Sequence, residues 1–197
     1  MPVVKLSTSQ QLALQKHLSD DLADDALVKS AYDCVIKTQN ERTATHALIL
    51  VSGLQSVLDH DPELVALTLL HKLAELKGLV FIESLSGTSL EVLQKQLKFF
   101  APVPRDAHKF KKLTDRWQVE ANALINEPDT IKVIKLACLA DSIHRKEWHN
   151  FLQKHYLIER ACVFIEKLQG SQGLVPDWLG NVKAAITAST NSPIRMK

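Results

Sequence analysis

The sequence predicts an all-α fold, and three observations carry that expectation. Six Gly and seven Pro in 197 residues are roughly half the usual share, so turns are few and elements long. Apolar residues recur at helical spacing, and helix-start signals precede several of these runs. Only residues 79–85 carry a strand-like pattern, and the stretch is short. With 46% apolar and 23% charged residues, the composition is globular and suits one domain over 1–197. A single bundle of about eight helices is expected.

The elements follow in order. Thr8-Ser9-Gln10-Gln11 reads as a capping box ahead of Leu12 and Leu14. A helix over 24–37 places Leu27, Ala31, Cys34 and Val35 on one face, and the polar stretch 38–43 predicts a turn. Over 44–58, the residues His46, Ile49, Leu50, Gly53, Leu54, Val57 and Leu58 share one stripe, which puts His46 on the buried side. Asp61-Pro62-Glu63 combines an N-cap, a proline at the first helical position and an acid at the positive end of the helix dipole. That helix reaches residue 76, and Gly78 ends it.

Thr88-Ser89-Leu90-Glu91 is a second capping box opening a short helix, and Pro102 and Pro104 break the chain after it. Glu127-Pro128-Asp129 divides two helices, of which the second, 130–148, is apolar enough to be mostly buried. Helices over 151–168 and 176–188, separated by the turn 170–173, complete the pattern.

Cys34, Cys138 and Cys162 are odd in number and lack CxxC spacing, so they read as reduced thiols. The start is unlike a secretory signal, and no window approaches the roughly 20 apolar residues of a membrane span. A cytoplasmic protein without a membrane partner is expected. A net charge of +2 and a single basic segment, 109–116, point to a solvated helix face and away from nucleic acid.

His46, His71 and Asp141 stand where the pattern demands apolar residues. A buried carboxylate is costly unless it is paired, hydrogen-bonded or bound to metal. Two imidazoles and a carboxylate converging from three helices would suit a first-row divalent ion. The competing reading makes the histidines hydrogen-bonded core residues and pairs Asp141 with Lys135, Arg145 or a helix end.

At these residues the chain resembles the HD-domain phosphohydrolases, specifically the RelA/SpoT hydrolase domain and the small alarmone hydrolases. The family pattern is an early His in an ITHP context, then ALLHD followed by VED, then IKLAD with a following HN. Thr43-Ala44-Thr45-His46-Ala47-Leu48 stands at the first element and Ala66-Leu67-Thr68-Leu69-Leu70-His71-Lys72-Leu73-Ala74-Glu75 at the second. Val133-Ile134-Lys135-Leu136-Ala137-Cys138-Leu139-Ala140-Asp141 stands at the third, and the likeness covers 31–148. Aligned on IKLA, Cys138 takes the metal-binding Asp position; aligned on LAD, Asp141 takes it and His144 stands at the family's His.

The resemblance implies a helical HD-type bundle and a manganese enzyme that removes the 3′-pyrophosphate of ppGpp (guanosine 3′-diphosphate 5′-diphosphate). It implies His46, His71 and Asp141 as metal ligands, Glu75 as the residue positioning water, and Lys37, Arg42 and Lys72 near a nucleotide. Asn40 replaces a turn Gly of the family. The family's paired His-Asp is His71-Lys72 here, which exchanges a ligand for an ammonium without a lone pair. The acidic pair that follows becomes Glu75-Leu76. The expected function is therefore a degenerate HD-domain protein, with catalysis lost or reduced and a guanosine nucleotide as its ligand. Two alternatives stand beside it. One is an active phosphohydrolase with altered ligands using Mn2+. The other is a helical interaction module for a protein partner or a second copy, anchored by Trp117, Trp148 or Trp178.

Overall fold

A computed structural model describes residues 5–85, 90–101, 112–144 and 151–190. They form eleven α-helices and one 3-10 helix, with no strand among the described residues. The chain divides into two compact units, Met1–Pro102 and Val103–Lys197.

The first unit contains α1 (Thr8–His17), α2 (Asp20–Asp24), α3 (Ala26–Thr38), α4 (Glu41–Gly53), α5 (Gln55–Leu58), α6 (Pro62–Lys77), the 3-10 helix (Val80–Ser84) and α7 (Leu90–Leu97). The count exceeds eight partly because short helices split off where longer ones are expected. Asp25 stops α2 and caps α3, its carboxylate accepting from the Leu27 and Val28 amides at 2.8 and 3.0 Å. Leu54 leaves helical geometry between α4 and α5. Residues 79–85 hold the 3-10 helix and not a strand.

The capping box at α1 sits one residue earlier than expected. Ser7 Oγ accepts from the Gln10 amide, and the Gln10 side chain accepts from the Ser7 amide at 2.9 Å. Asp61 caps α6 as expected, accepting from Glu63 and Leu64, and Gly78 ends it at φ 68°. The expected second capping box, Thr88-Ser89, lies outside the described residues.

Helix α6 is buried on almost every side: Val65 to His71, then Leu73 and Ala74, are withdrawn from water. It packs against α3, α4 and α7 and forms the centre of this unit. Its N-terminus follows a tight turn in which Asp59 and His60 both take left-handed geometry, at φ 44° and 58°, a region Asp and His enter more readily than most residues.

The second unit contains α8 (Leu113–Leu124), α9 (Asp129–His144), α10 (Phe151–Leu168) and α11 (Val175–Thr190). Helix α9 plays the part of α6, buried from Ile131 to Ala140 and packed against α10 and α11. The break at Glu127-Pro128-Asp129 is where the sequence places it. Gly173, at φ 66°, closes the α10–α11 turn against α9: a Cβ there would stand 2.6 Å from Asp129 Oδ2. The expected extension of α9 to Trp148 lies outside the described residues.

Candidate functional site

In the first unit, α3, α4 and α6 carry the residues singled out in the sequence. Helix α4 begins at Glu41, so the expected turn over 38–43 shrinks to Gln39-Asn40. Asn40 is its N-cap, with an extended backbone (φ 179°) and a side chain accepting from the Thr43 amide at 2.8 Å. Asn40 therefore serves as a helix cap.

Of the stripe expected over 44–58, Leu54, Val57 and Leu58 are buried, and the earlier part of it is not. Ala44, Ala47, Leu48, Val51 and Leu54 face the core, while Ile49 and Gly53 are exposed and His46 is half-buried. Two apolar stripes at helical spacing overlap in this helix. Packing of α4 against α3 and α6 selects the one with alanines at its N-terminal end, where helices approach closely.

His71 is buried within α6, as expected. Its Nδ1 donates to the Thr68 carbonyl at 2.6 Å, and its ring lies edge-on to Phe100 at 6.5 Å between centroids. With Nδ1 as donor, the neutral ring carries its lone pair on Nε2, the arrangement common in metal-ligating histidines. The same hydrogen bond also describes a satisfied core histidine.

Lys72 and Glu75 are brought together: Nζ donates to Oε2 at 2.9 Å, with both side chains about three-quarters buried. The Lys72 ammonium is thus engaged by Glu75, the carboxylate expected to position water. Lys37 reaches Asp33 at 2.6 Å one turn earlier in α3 and remains largely exposed, and Arg42 is exposed on the first turn of α4.

Cys138 and Asp141 belong to α9 of the second unit. Cys138 is buried, and Asp141 is half-buried near the C-terminal end of the helix. The apolar run around Asp141 therefore does not bring full burial of its carboxylate; the desolvation cost expected from the sequence is reduced accordingly.

Among the described residues, no three or more His, Cys, Asp or Glu side chains gather as a group that could hold a metal ion. The ammonium of Lys72, next in sequence to His71, repels a cation and offers it no electron pair.

Several polar residues of the core escaped the sequence reading. Tyr32 of α3 is buried against α4, and burial raises its phenol above the ordinary 10.0; a hydrogen bond with Thr45 lowers it and the charge of Glu41 raises it further. Arg116, read as part of a solvated basic face, is buried in α8 beside Glu120 and Trp117. The signal lay in α8 itself: Glu120 stands between Trp117, Ala121 and Leu124 on the apolar side, one turn after Arg116. The rest of that basic segment before Lys112 lies outside the described residues, as does Trp148. Trp117 is a core residue and Trp178 is half-buried.

No helix of the described residues is long and apolar enough to cross a membrane. No protein-family model, no curated protein and no solved structure matches this chain.

Proposed function

We propose that the chain is a degenerate HD-type protein, resembling ppGpp 3′-pyrophosphohydrolases, in which catalysis is lost or reduced and a guanosine nucleotide remains the ligand. The observation that carries this reading is the Lys72–Glu75 ion pair at 2.9 Å. It engages the carboxylate that hydrolysis would need for water, on the residue one turn of α6 after His71. Lys37 and Arg42, at the α3–α4 corner, supply exposed positive charge for phosphate oxygens.

The test is pyrophosphate release from ppGpp with excess Mn2+, comparing the unmodified chain with His46→Ala and Lys72→Asp. The unmodified chain and His46→Ala release pyrophosphate at the same background rate. Lys72→Asp restores a carboxylate beside His71 and frees Glu75, so its manganese affinity rises by roughly 10-fold or more. Turnover by the unmodified chain that depends on His46 overturns the loss of catalysis. Unchanged manganese affinity in Lys72→Asp overturns the HD-type arrangement. Calorimetric titration with ppGpp, repeated on Arg42→Glu, tests the nucleotide: no heat of binding in the unmodified chain removes it.

A second reading, an interaction module acting through a second copy, is favoured by Leu76 and Val80, which are 57% and 85% exposed four residues apart. Sedimentation that stays monomeric at high concentration, and does not change in Val80→Lys, removes it.

A further inference from the structure

Helix α1 is held to the first unit by fewer buried groups than the helices around it. Leu14 is the one buried residue of its ten, and Leu18 follows just past its end. By contrast α3 buries seven of its residues and α6 nine. Apolar burial is the main force that docks a helix, so α1 rests on two leucines where α3 and α6 rest on a broad face. At its N-terminal end, the Ser7–Gln10 capping box is closed within the helix itself.

The other ties of α1 are hydrogen bonds near the surface. A helix end leaves its last carbonyls without a partner in the helix. Here the His17 carbonyl accepts from Ser52 Oγ of α4 and from the Gln55 side-chain amide of α5, each at 3.1 Å. The Ser52 hydroxyl gives its proton to that carbonyl, so its oxygen accepts from His17 Nδ1 at 3.2 Å. Midway along α1, the Gln11 side-chain amide donates to the Ala23 carbonyl and to Asp24 Oδ1 of α2, each at 3.2 Å. Gln55 is exposed, and Gln11, His17 and Ser52 are half-buried. Water therefore replaces these partners as the contact opens, and exchanging such a bond for water costs little.

The chain beyond α1 is anchored separately. Leu18 and Ser19, between α1 and α2, are both extended, with ψ 158° at each. After them, α2 buries Leu22 and Ala23 and packs against α3. Ser19 Oγ also lies 3.5 Å from His60 Nδ1, on the turn before α6. Rotation about Leu18–Ser19 thus frees α1 and leaves the packing of α2 onto α3 in place. A helix of ten residues is too short to persist alone in water, so α1 unwinds as it leaves.

We propose that α1 is a latched strap, which undocks from α4 by pivoting at Leu18–Ser19 while α3, α4 and α6 stay folded, with His17, Ser52 and Gln55 as the latch. Its release uncovers the side of α4 that carries Ser52, on the helix that also carries Arg42 and His46. The latch shares no residue with the Lys72–Glu75 pair, and the strap stands independently of the HD-type reading.

Hydrogen–deuterium exchange of the full chain, read by mass spectrometry, tests the strap. Amides of α1 have protection factors about 100-fold lower than those of residues 66–74 in α6, because they open without global unfolding. Ser52→Ala and Gln55→Ala each remove one donor from the His17 carbonyl. Each speeds exchange in α1 by about 2- to 10-fold and leaves 66–74 unchanged. Both positions touch solvent and alanine suits a helix, so these variants stay folded. Leu14→Ala removes one of the two apolar anchors and abolishes protection of α1 while α6 remains protected. Equal protection of α1 and α6 overturns the proposal, since the two then open as one body. So do latch variants that leave α1 exchange unchanged, or that speed α1 and α6 alike.

Discussion

Among the described residues, the polar side chains withdrawn from water in the first unit carry hydroxyls or an imidazole: Ser30, Tyr32, Thr68 and His71. In the second they are mostly charged: Arg116, Glu120, Lys132, Lys135, Lys154 and Arg160, with Ser189. The manner of satisfaction differs too. Thr68 donates to the Leu64 carbonyl at 2.8 Å and His71 to the Thr68 carbonyl at 2.6 Å, both within α6. In the second unit, Arg160 meets Glu120 across 40 residues of sequence, and Lys154 donates to the Ser189 carbonyl across 35. A neutral group can be satisfied by its own helix. Lys132 is met within α9 by Asp129 at 3.2 Å, but Arg160 and Lys154 draw on partners far along the chain, so the second unit depends more on its long-range geometry.

That contrast can be broken at Glu120. Glu120→Ala leaves two guanidiniums without their shared carboxylate, and urea unfolding should show a loss of about 3–5 kcal/mol. In the first unit the comparable loss comes from apolar packing. Leu70→Ala, in the fully buried core of α6, should cost about 2–5 kcal/mol by the same measurement. A Glu120→Ala cost under 1 kcal/mol would mean that the buried charges of the second unit are solvated, and the contrast would collapse.

Smaller effects sharpen it. Gly173→Ala forces a left-handed backbone on alanine and sets its Cβ against Asp129, and should lower stability by about 1–2 kcal/mol in thermal unfolding. Asp61→Ala removes the N-cap of α6 and should cost about 1 kcal/mol. The Lys72–Glu75 pair, partly solvated, should show a coupling of only about 0.2–1 kcal/mol in a double-mutant cycle. Tyr32 supplies a pH dependence. Its phenol is raised in the folded chain, so the folded state holds the proton more tightly than the unfolded one. Stability is therefore intact below pH 10.0 and falls as pH rises beyond it. Tyr32→Phe should flatten that alkaline loss in unfolding measured between neutral pH and about 11.

Much of this was legible in the order of residues. The scarcity of Gly and Pro, the Asp61-Pro62 start, the Gly78 stop and the break at Pro128 are local signals, and the helices obey them because capping and backbone geometry act within a turn. The burial of α9 was legible for a similar reason, since its dense apolar run from Ile131 to Ile143 leaves it little surface to show water, although the burial of Lys132 and Lys135 with it was not. The face of α4 was not. Its sequence offers two overlapping stripes, and only packing against α3 and α6 chose Ala44, Ala47, Leu48 and Val51 over Ile49 and Gly53.

The same division runs through the candidate site. That Lys72 follows His71 is a fact of sequence, and an ammonium offers a cation no electron pair. That its ammonium closes on Glu75, three residues on in α6, is shown only by the folded helix. The Arg116–Glu120–Arg160 cluster was beyond reach. Two of its members share a helix one turn apart, but the third comes from α10, and no periodicity announces a partner 40 residues away. Sequence determined where helices start, stop and turn their unambiguous faces, because those choices are made by neighbours in the chain. Tertiary structure decided which polar groups meet, because burial removes water as a partner and leaves only what the packed helices supply.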